Sequence, residues 1–190
     1  MATTKRMTRT GLLLLAMAVA AVAYFYHLTN KTSVKTVEAV ATPVQELLLK
    51  DYETNYPQTP KEVMKAYNNI MQVCYNQEYT DEELGQLSDL VLLFFDEELA
   101  QANPDYLQTL KNDVASFREK DCRISSYSLS AATDVDYYTK AGFDFAKLSC
   151  IYNIRVSTQI TSNKQIYLLR KDDAGHWKIY GWKKDLTFMQ

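Results

Sequence analysis

From Ala146 to Ile160 the chain alternates in character. Even positions carry Ala146, Leu148, Cys150, Tyr152, Ile154, Val156, Thr158 and Ile160, whereas the odd positions are polar or charged except Ile151. A side-chain period of two over this length puts one apolar and one polar face on a long strand. Such a strand needs partners for its backbone and a cover for its apolar face. It is therefore expected as the central strand of an antiparallel sheet packed on helices.

The cover lies upstream. Thr42-Pro43 opens a helix with Gln45 at the capping-box position, and Val44, Leu47 and Leu48 face one way before Pro57 ends the segment. Thr59-Pro60 with Glu62, and Thr80 with Glu83, repeat that start signal. The second helix has the stripe Val63, Tyr67, Ile70, Met71 and Cys74; the third has Leu84, Leu87, Val91, Phe94 and Phe95. The unbroken apolar run Leu90 to Phe95 marks the third helix as the innermost. Asn103-Pro104 restarts a helix with Leu107, Leu110, Val114 and Phe117 inward, ending near Asp121.

After Cys122 the texture changes to Ser, Thr, Tyr and Ile. Arg123 to Ala131 and Thr133 to Tyr138 read as one bent strand or two short ones, and Thr139 to Gly142 turns into the long strand. Thr161 to Lys164 is expected to turn again into a strand from Gln165 to Lys171. Asp172 to Gly175 then joins that strand to His176 to Lys184 as a hairpin. The fold class predicted is α+β: an N-terminal transmembrane helix, then amphipathic helices packed on a curved antiparallel sheet of about three to five strands.

Read as a four-residue loop, Asp172 to Gly175 pairs Leu168 with Ile179, Arg170 with Trp177, Tyr167 with Tyr180, Leu169 with Lys178 and Gln165 with Trp182. Ile166, Leu168, Trp177 and Ile179 then face the helices. Tyr167, Leu169, Tyr180 and Trp182 form an outer face too aromatic for an ordinary solvated sheet, and they are the candidate contact residues for a homodimer or a protein partner. The alternative is that lysine stems and the chain terminus cover that face, or that the loop register differs.

The amino end is separate in character. Lys5, Arg6 and Arg9 precede an apolar run from Gly11 to Tyr26, and Thr10 to Leu28 would span about 28 Å as a helix, close to a hydrocarbon core of about 30 Å. Basic residues before the run favour a cytoplasmic amino terminus and place the folded part outside the cell membrane. Ala21-Val22-Ala23 also fits a signal-cleavage site, so a secreted form cut after Ala23 is the alternative. Tyr24 to Tyr26 suit a membrane interface and favour the anchor. The expected organisation is a signal anchor over residues 1–28, a linker over 29–41 and an extracytoplasmic α+β domain over 42–190.

Charge is partitioned along the chain. Residues 44–121 carry six basic and sixteen acidic side chains, and residues 122–190 carry ten basic and six acidic. An acidic helical half argues against nucleic acid as a partner, since that affinity begins with clustered Lys and Arg. Asp96-Glu97-Glu98 reads as a solvated helix end. Three cysteines cannot all pair; burial as small hydrophobes is expected, with a Cys122–Cys150 disulfide as the alternative.

The chemical inventory is thin. Only His27 and His176 could supply imidazole, and neither sits where a buried site would form. There is no Gly-rich phosphate loop, nucleophile elbow, or zinc-type Cys/His spacing, so no catalytic residue, cofactor or metal is expected. Asp134 and Asp136 beside Tyr137 and Tyr138, together with Tyr127 and Tyr152, are the residues left for acid–base work.

Helix starts at Thr59-Pro60 and Thr80-Asp81, the long strand through Tyr152 and Ile154, and the closing hairpin of Leu168 to Lys171 with Trp177 to Ile179 resemble the nuclear-transport-factor-2-like (cystatin-like) fold. The layout is also similar to that of membrane-anchored scaffold proteins of conjugation and type IV secretion, and of bacterial cell-surface proteins of uncharacterised role. The resemblance implies a membrane-anchored, non-enzymatic binding or scaffold module. Its alternative is a small-ligand carrier or enzyme using the cone between helices and sheet, with Asp134, Asp136 and Tyr152 nearest the chemistry. That alternative requires a cavity of several hundred Å3, and a cone filled by Phe94, Phe95 and Val114 would dismiss it.

Overall fold

The computed structural model describes residues 41–188. The expected membrane helix over residues 10–28 and most of the linker lie outside them. Among the described residues no helix is long and apolar enough to cross a membrane. The described part has an α+β fold with five α-helices and a five-stranded antiparallel sheet.

Three helices start where reciprocal caps place them. In α1 (Pro43–Leu48), α2 (Pro60–Asn76) and α3 (Asp81–Leu92), the threonine at the cap accepts from the backbone of the third helical residue, whose side chain accepts from the threonine's own N–H. Two otherwise orphaned N–H groups at each start are thereby satisfied, and proline at the first position of α1 and α2 leaves one fewer to satisfy. A short α4 (Glu97–Gln101) and then α5 (Tyr106–Glu119) follow. Helix α3 stops earlier than its apolar run. Phe94 and Phe95 lie beyond its end, where the backbone of Phe94 to Asp96 exchanges hydrogen bonds with Ile179 and covers a sheet edge.

The sheet comprises β1 (Cys122–Leu129), β2 (Asp136–Lys140), β3 (Phe143–Val156), β4 (Gln159–Lys171) and β5 (Trp177–Lys184). Its order is β1-β3-β4-β5, with β2 continuing beyond β1 along the same edge of β3. Ala146, Leu148, Cys150 and Tyr152 are buried against the helices, as the alternation predicts. They meet a continuous core that includes Val63, Ile70, Leu87, Val91 and Val114. Cys122 faces Val156 at one end of the β1/β3 ladder and Cys150 faces Leu129 at the other; all three cysteines are free thiols, so the alternative disulfide does not form.

Two turns differ from expectation. The long strand ends at Val156, with Ser157 at φ 52° in a two-residue turn, so Thr161 to Lys164 is strand and not loop. The final hairpin closes over three residues. The Asp172 N–H donates to the His176 carbonyl at 2.8 Å, the Gly175 N–H donates to the Asp172 carbonyl at 2.9 Å, and Gly175 takes φ 86°, a left-handed conformation that suits glycine. One residue fewer in the loop moves the register by one. Leu169 then pairs with Ile179 and Lys171 with Trp177, and a bulge at Tyr180 makes Tyr167 the partner of Trp182.

The expected outer face is corrected accordingly. Tyr167 and Leu169 are buried on the helix side of the sheet, and Trp182 shares Tyr167's side. Of the four candidate contact residues, Tyr180 alone remains outside. There it joins Phe145 at 5.8 Å, which in turn stacks on Tyr138 at 5.5 Å. The Arg170 guanidinium lies over the rings of Phe143 and Tyr180 at 4.9 and 4.7 Å, so the outer aromatics serve as cover for an arginine. Arg170 in turn makes a two-pronged pair with Asp96, at 2.9 and 2.6 Å, and reaches Glu98 at 2.7 Å. Asp96, expected in a solvated helix end, is only 3% exposed and also caps α4.

Candidate functional site

The inner face of β3 and β4 meets α2 and α5, and between them lies a cavity of about 340 Å3. Helical spacing puts Tyr67, Met71 and Tyr75 of α2 on one wall, four residues apart. Helix α5 gives the facing wall with Tyr106, Leu110, Asp113 and Phe117. The floor alternates along the sheet: Tyr152 and Ile154 from β3, then Asn163, Gln165 and Tyr167 from β4. Trp182 stands at the rim, 43% exposed.

Aromatic pairs brace both ends of α5: Tyr106 packs edge-on to Phe95 at 5.1 Å, and Phe117 packs edge-on to Tyr75 at 4.8 Å. Phe94, Phe95 and Val114 are buried in the core beside the cavity, and they do not fill it.

A chain of polar contacts runs through the floor. Asn68 Oδ1 accepts from the Tyr152 hydroxyl, which lies 2.7 Å from the Tyr167 hydroxyl, which lies 2.7 Å from Gln165 Oε1. Three oxygen–oxygen contacts have only two hydroxyl protons to serve them. The Tyr152 hydroxyl donates to Asn68 Oδ1 and the Tyr167 hydroxyl to Gln165 Oε1, so the contact between the two hydroxyls has no proton of its own. Asn163 Oδ1 is buried without a hydrogen-bond partner, and it shares Tyr152's side of the sheet because the two residues pair across β3 and β4.

Burial governs the ionisation of these groups. It pushes the hydroxyls of Tyr67, Tyr106, Tyr152 and Tyr167 far above the ordinary phenol value, with neighbouring groups adding to it. Tyr75 is pushed up to about 12, by burial first and then by the charge of Asp113. At neutral pH each is a neutral hydroxyl, able to donate and accept but not to act as a base. No lysine, arginine or histidine is among the lining residues, and Asp113 is their one carboxylate.

Of the residues considered for acid–base work, Tyr152 alone reaches the cavity. Asp134 lies exposed in a 3-10 turn, and Asp136 is exposed and paired with Lys147 at 2.7 Å. Tyr127 donates to Asn69 Oδ1 at 2.6 Å and stays outside the lining set. His176 stacks on Tyr56 at 4.5 Å beside the hairpin turn. Among the described residues no group of three or more His, Cys, Asp or Glu could hold a metal ion. The wall residues Tyr75, Tyr106 and Asp113 are absent from the sequence-based candidates. Their signal was available in the tyrosines at helix positions where aliphatic side chains would fill a core.

The family model described as a domain of unknown function (DUF6715) matches residues 1–182. The chain belongs to that family. The DUF6715 match takes in the apolar leader together with every residue of the cavity wall, ending at Trp182. No curated protein matches the sequence.

Proposed function

We propose that this DUF6715 chain is a membrane-tethered, extracytoplasmic binding module that holds a small molecule in a cone of the nuclear-transport-factor-2-like kind. The observation that carries this reading is the cavity. Its volume of about 340 Å3 falls within the range of small-molecule sites, and its lining combines seven aromatic side chains with aliphatic ones and a few polar groups. Binding is favoured over catalysis because the buried hydroxyls stay neutral and the one lining carboxylate, Asp113, is on an exposed side chain. The tether rests on the leader over residues 10–28, which is long enough to cross a bilayer once. Protein contact through the outer face loses its support, since Tyr167 and Leu169 are interior and Trp182 borders the cavity.

The test is a fragment screen by saturation-transfer NMR on the full chain in detergent, run in parallel on Thr109→Trp. Thr109 is an exposed cavity-rim residue on α5, so an indole there obstructs the mouth without disturbing the core. Fragments that bind the native chain and lose contact in the variant support the reading. An empty screen, or hits indifferent to Thr109→Trp, would refute it. For the tether, resistance to carbonate extraction is expected; a soluble product beginning after Ala23 would replace anchorage by secretion.

A further inference from the structure

We infer that the ligand of this cavity is an organic ammonium ion, a protonated amine carried on a compact apolar body; the inference rests on the binding reading above and narrows it to one charge class. Three features of the site point the same way.

The first is ring faces. Tyr67, Tyr75, Tyr106, Tyr152, Tyr167 and Trp182 supply aromatic surface from both walls, the floor and the rim. The negative face of an aromatic ring attracts a cation, and enclosure by several rings is how proteins hold alkylammonium groups. The second is charge. Asp113 is the single carboxylate of the lining set, and among the described residues no salt-bridge partner within 4.0 Å engages it. With no lysine, arginine or histidine in the lining, a carboxylate or phosphate ligand would find no counter-ion and would meet Asp113 at like charge.

The third is the wider field. The helical half, residues 44–121, carries sixteen acidic side chains against six basic ones, which favours approach of cations to that side of the cavity.

Four probes of one shape separate the possibilities: 2-phenylethylamine, its N,N,N-trimethyl derivative, 2-phenylethanol and 3-phenylpropanoate. Each is titrated by calorimetry into the full chain in non-ionic detergent at neutral pH and low salt. The amine should bind about tenfold more tightly than the alcohol, and the propanoate should give no heat. Asp113→Asn should bring the amine to within about twofold of the alcohol while leaving alcohol affinity unchanged. The trimethyl probe should keep the amine's preference over the alcohol, because ring faces and Asp113 act on the charge and not on an N–H.

Alcohol or propanoate binding as tightly as the amine overturns the ammonium inference and leaves the cavity reading intact. An amine preference that survives Asp113→Asn overturns the role given to that carboxylate. If none of the four probes binds while the fragment screen yields rim-sensitive hits, the ammonium inference alone falls; if the screen is empty too, both fall.

Discussion

Replacing Tyr152 by Phe tests the polar chain in the cavity floor at its middle link. Tyr152 and Asn68 are both buried, and the Tyr152 hydroxyl is the donor recorded to Asn68 Oδ1. Its removal leaves that carbonyl without a donor. A buried group so orphaned costs about 1–3 kcal/mol, and relief from burying the Tyr152 hydroxyl offsets part of this, so a loss of about 2 kcal/mol is expected. Tyr167→Phe is the matched control. It takes the donor from Gln165 Oε1 instead, on a half-buried side chain that can turn its amide, so the expected loss is under about 1 kcal/mol. Urea unfolding of the full chain in mild detergent, followed by far-ultraviolet circular dichroism, measures both, with midpoint shifts at constant slope read as stability. For a domain of this size the Tyr152 variant should also melt about 4–8 °C lower. Equal losses, or a greater loss for Tyr167→Phe, would refute the role given to the Tyr152 hydroxyl as the donor to buried Asn68.

The Arg170 cluster should behave as a buried pair with one exposed helper. Asp96→Ala is expected to cost about 3 kcal/mol by stranding Arg170 and uncapping α4, whereas Glu98→Ala, on an exposed side chain, should cost under about 1 kcal/mol; equal urea midpoints would contradict this. Alkali should destabilise the fold. Buried tyrosines have folded pKa values above their unfolded value of about 10, so their stabilising contribution is whole below that pH and is lost as pH rises through the folded values, with Tyr75 at about 12. Urea midpoints falling from about pH 9 to about pH 11, with delayed tyrosinate absorbance, are the expected observation; a flat profile would count against it. Thiol labelling should be selective. Cys74 and Cys150 are buried, with thiols pushed up by burial to about 12 and about 11, so Cys122 should be the one that reacts quickly under native conditions, and mass spectrometry counts the adducts.

Local signals carried most of the fold into the sequence. The threonine-led boxes at Thr42, Thr59 and Thr80 are complete in four residues each, so the helix starts needed no knowledge of the tertiary structure. The alternation from Ala146 to Ile154 likewise reports a face decided by burial on one side. What failed to show was parity. Ser157 takes a left-handed conformation without the glycine or asparagine that usually advertises one, and β-branched Thr158 and Ile160 keep the alternating texture through a turn that reverses the chain. At Asp172 to Gly175 the residues suit a three- or a four-residue loop equally, and only the Asp172–His176 pairing selects the shorter.

Those two ambiguities conceal the candidate site. Because Val156 pairs with Gln159, the odd residues of β4 face the helices, which carries Asn163 out of a supposed loop and sets it with Gln165 and Tyr167 on the cavity floor. Because the hairpin closes one residue sooner, and the bulge at Tyr180 adds one back, Trp182 is brought over Tyr167 to the rim. A reading in which Tyr167 and Trp182 point outward makes them a sticky surface. The same side chains turned inward, joined by tyrosines on α2 and α5, make a pocket, so a one-residue difference in register separates a protein-contact face from a small-molecule site.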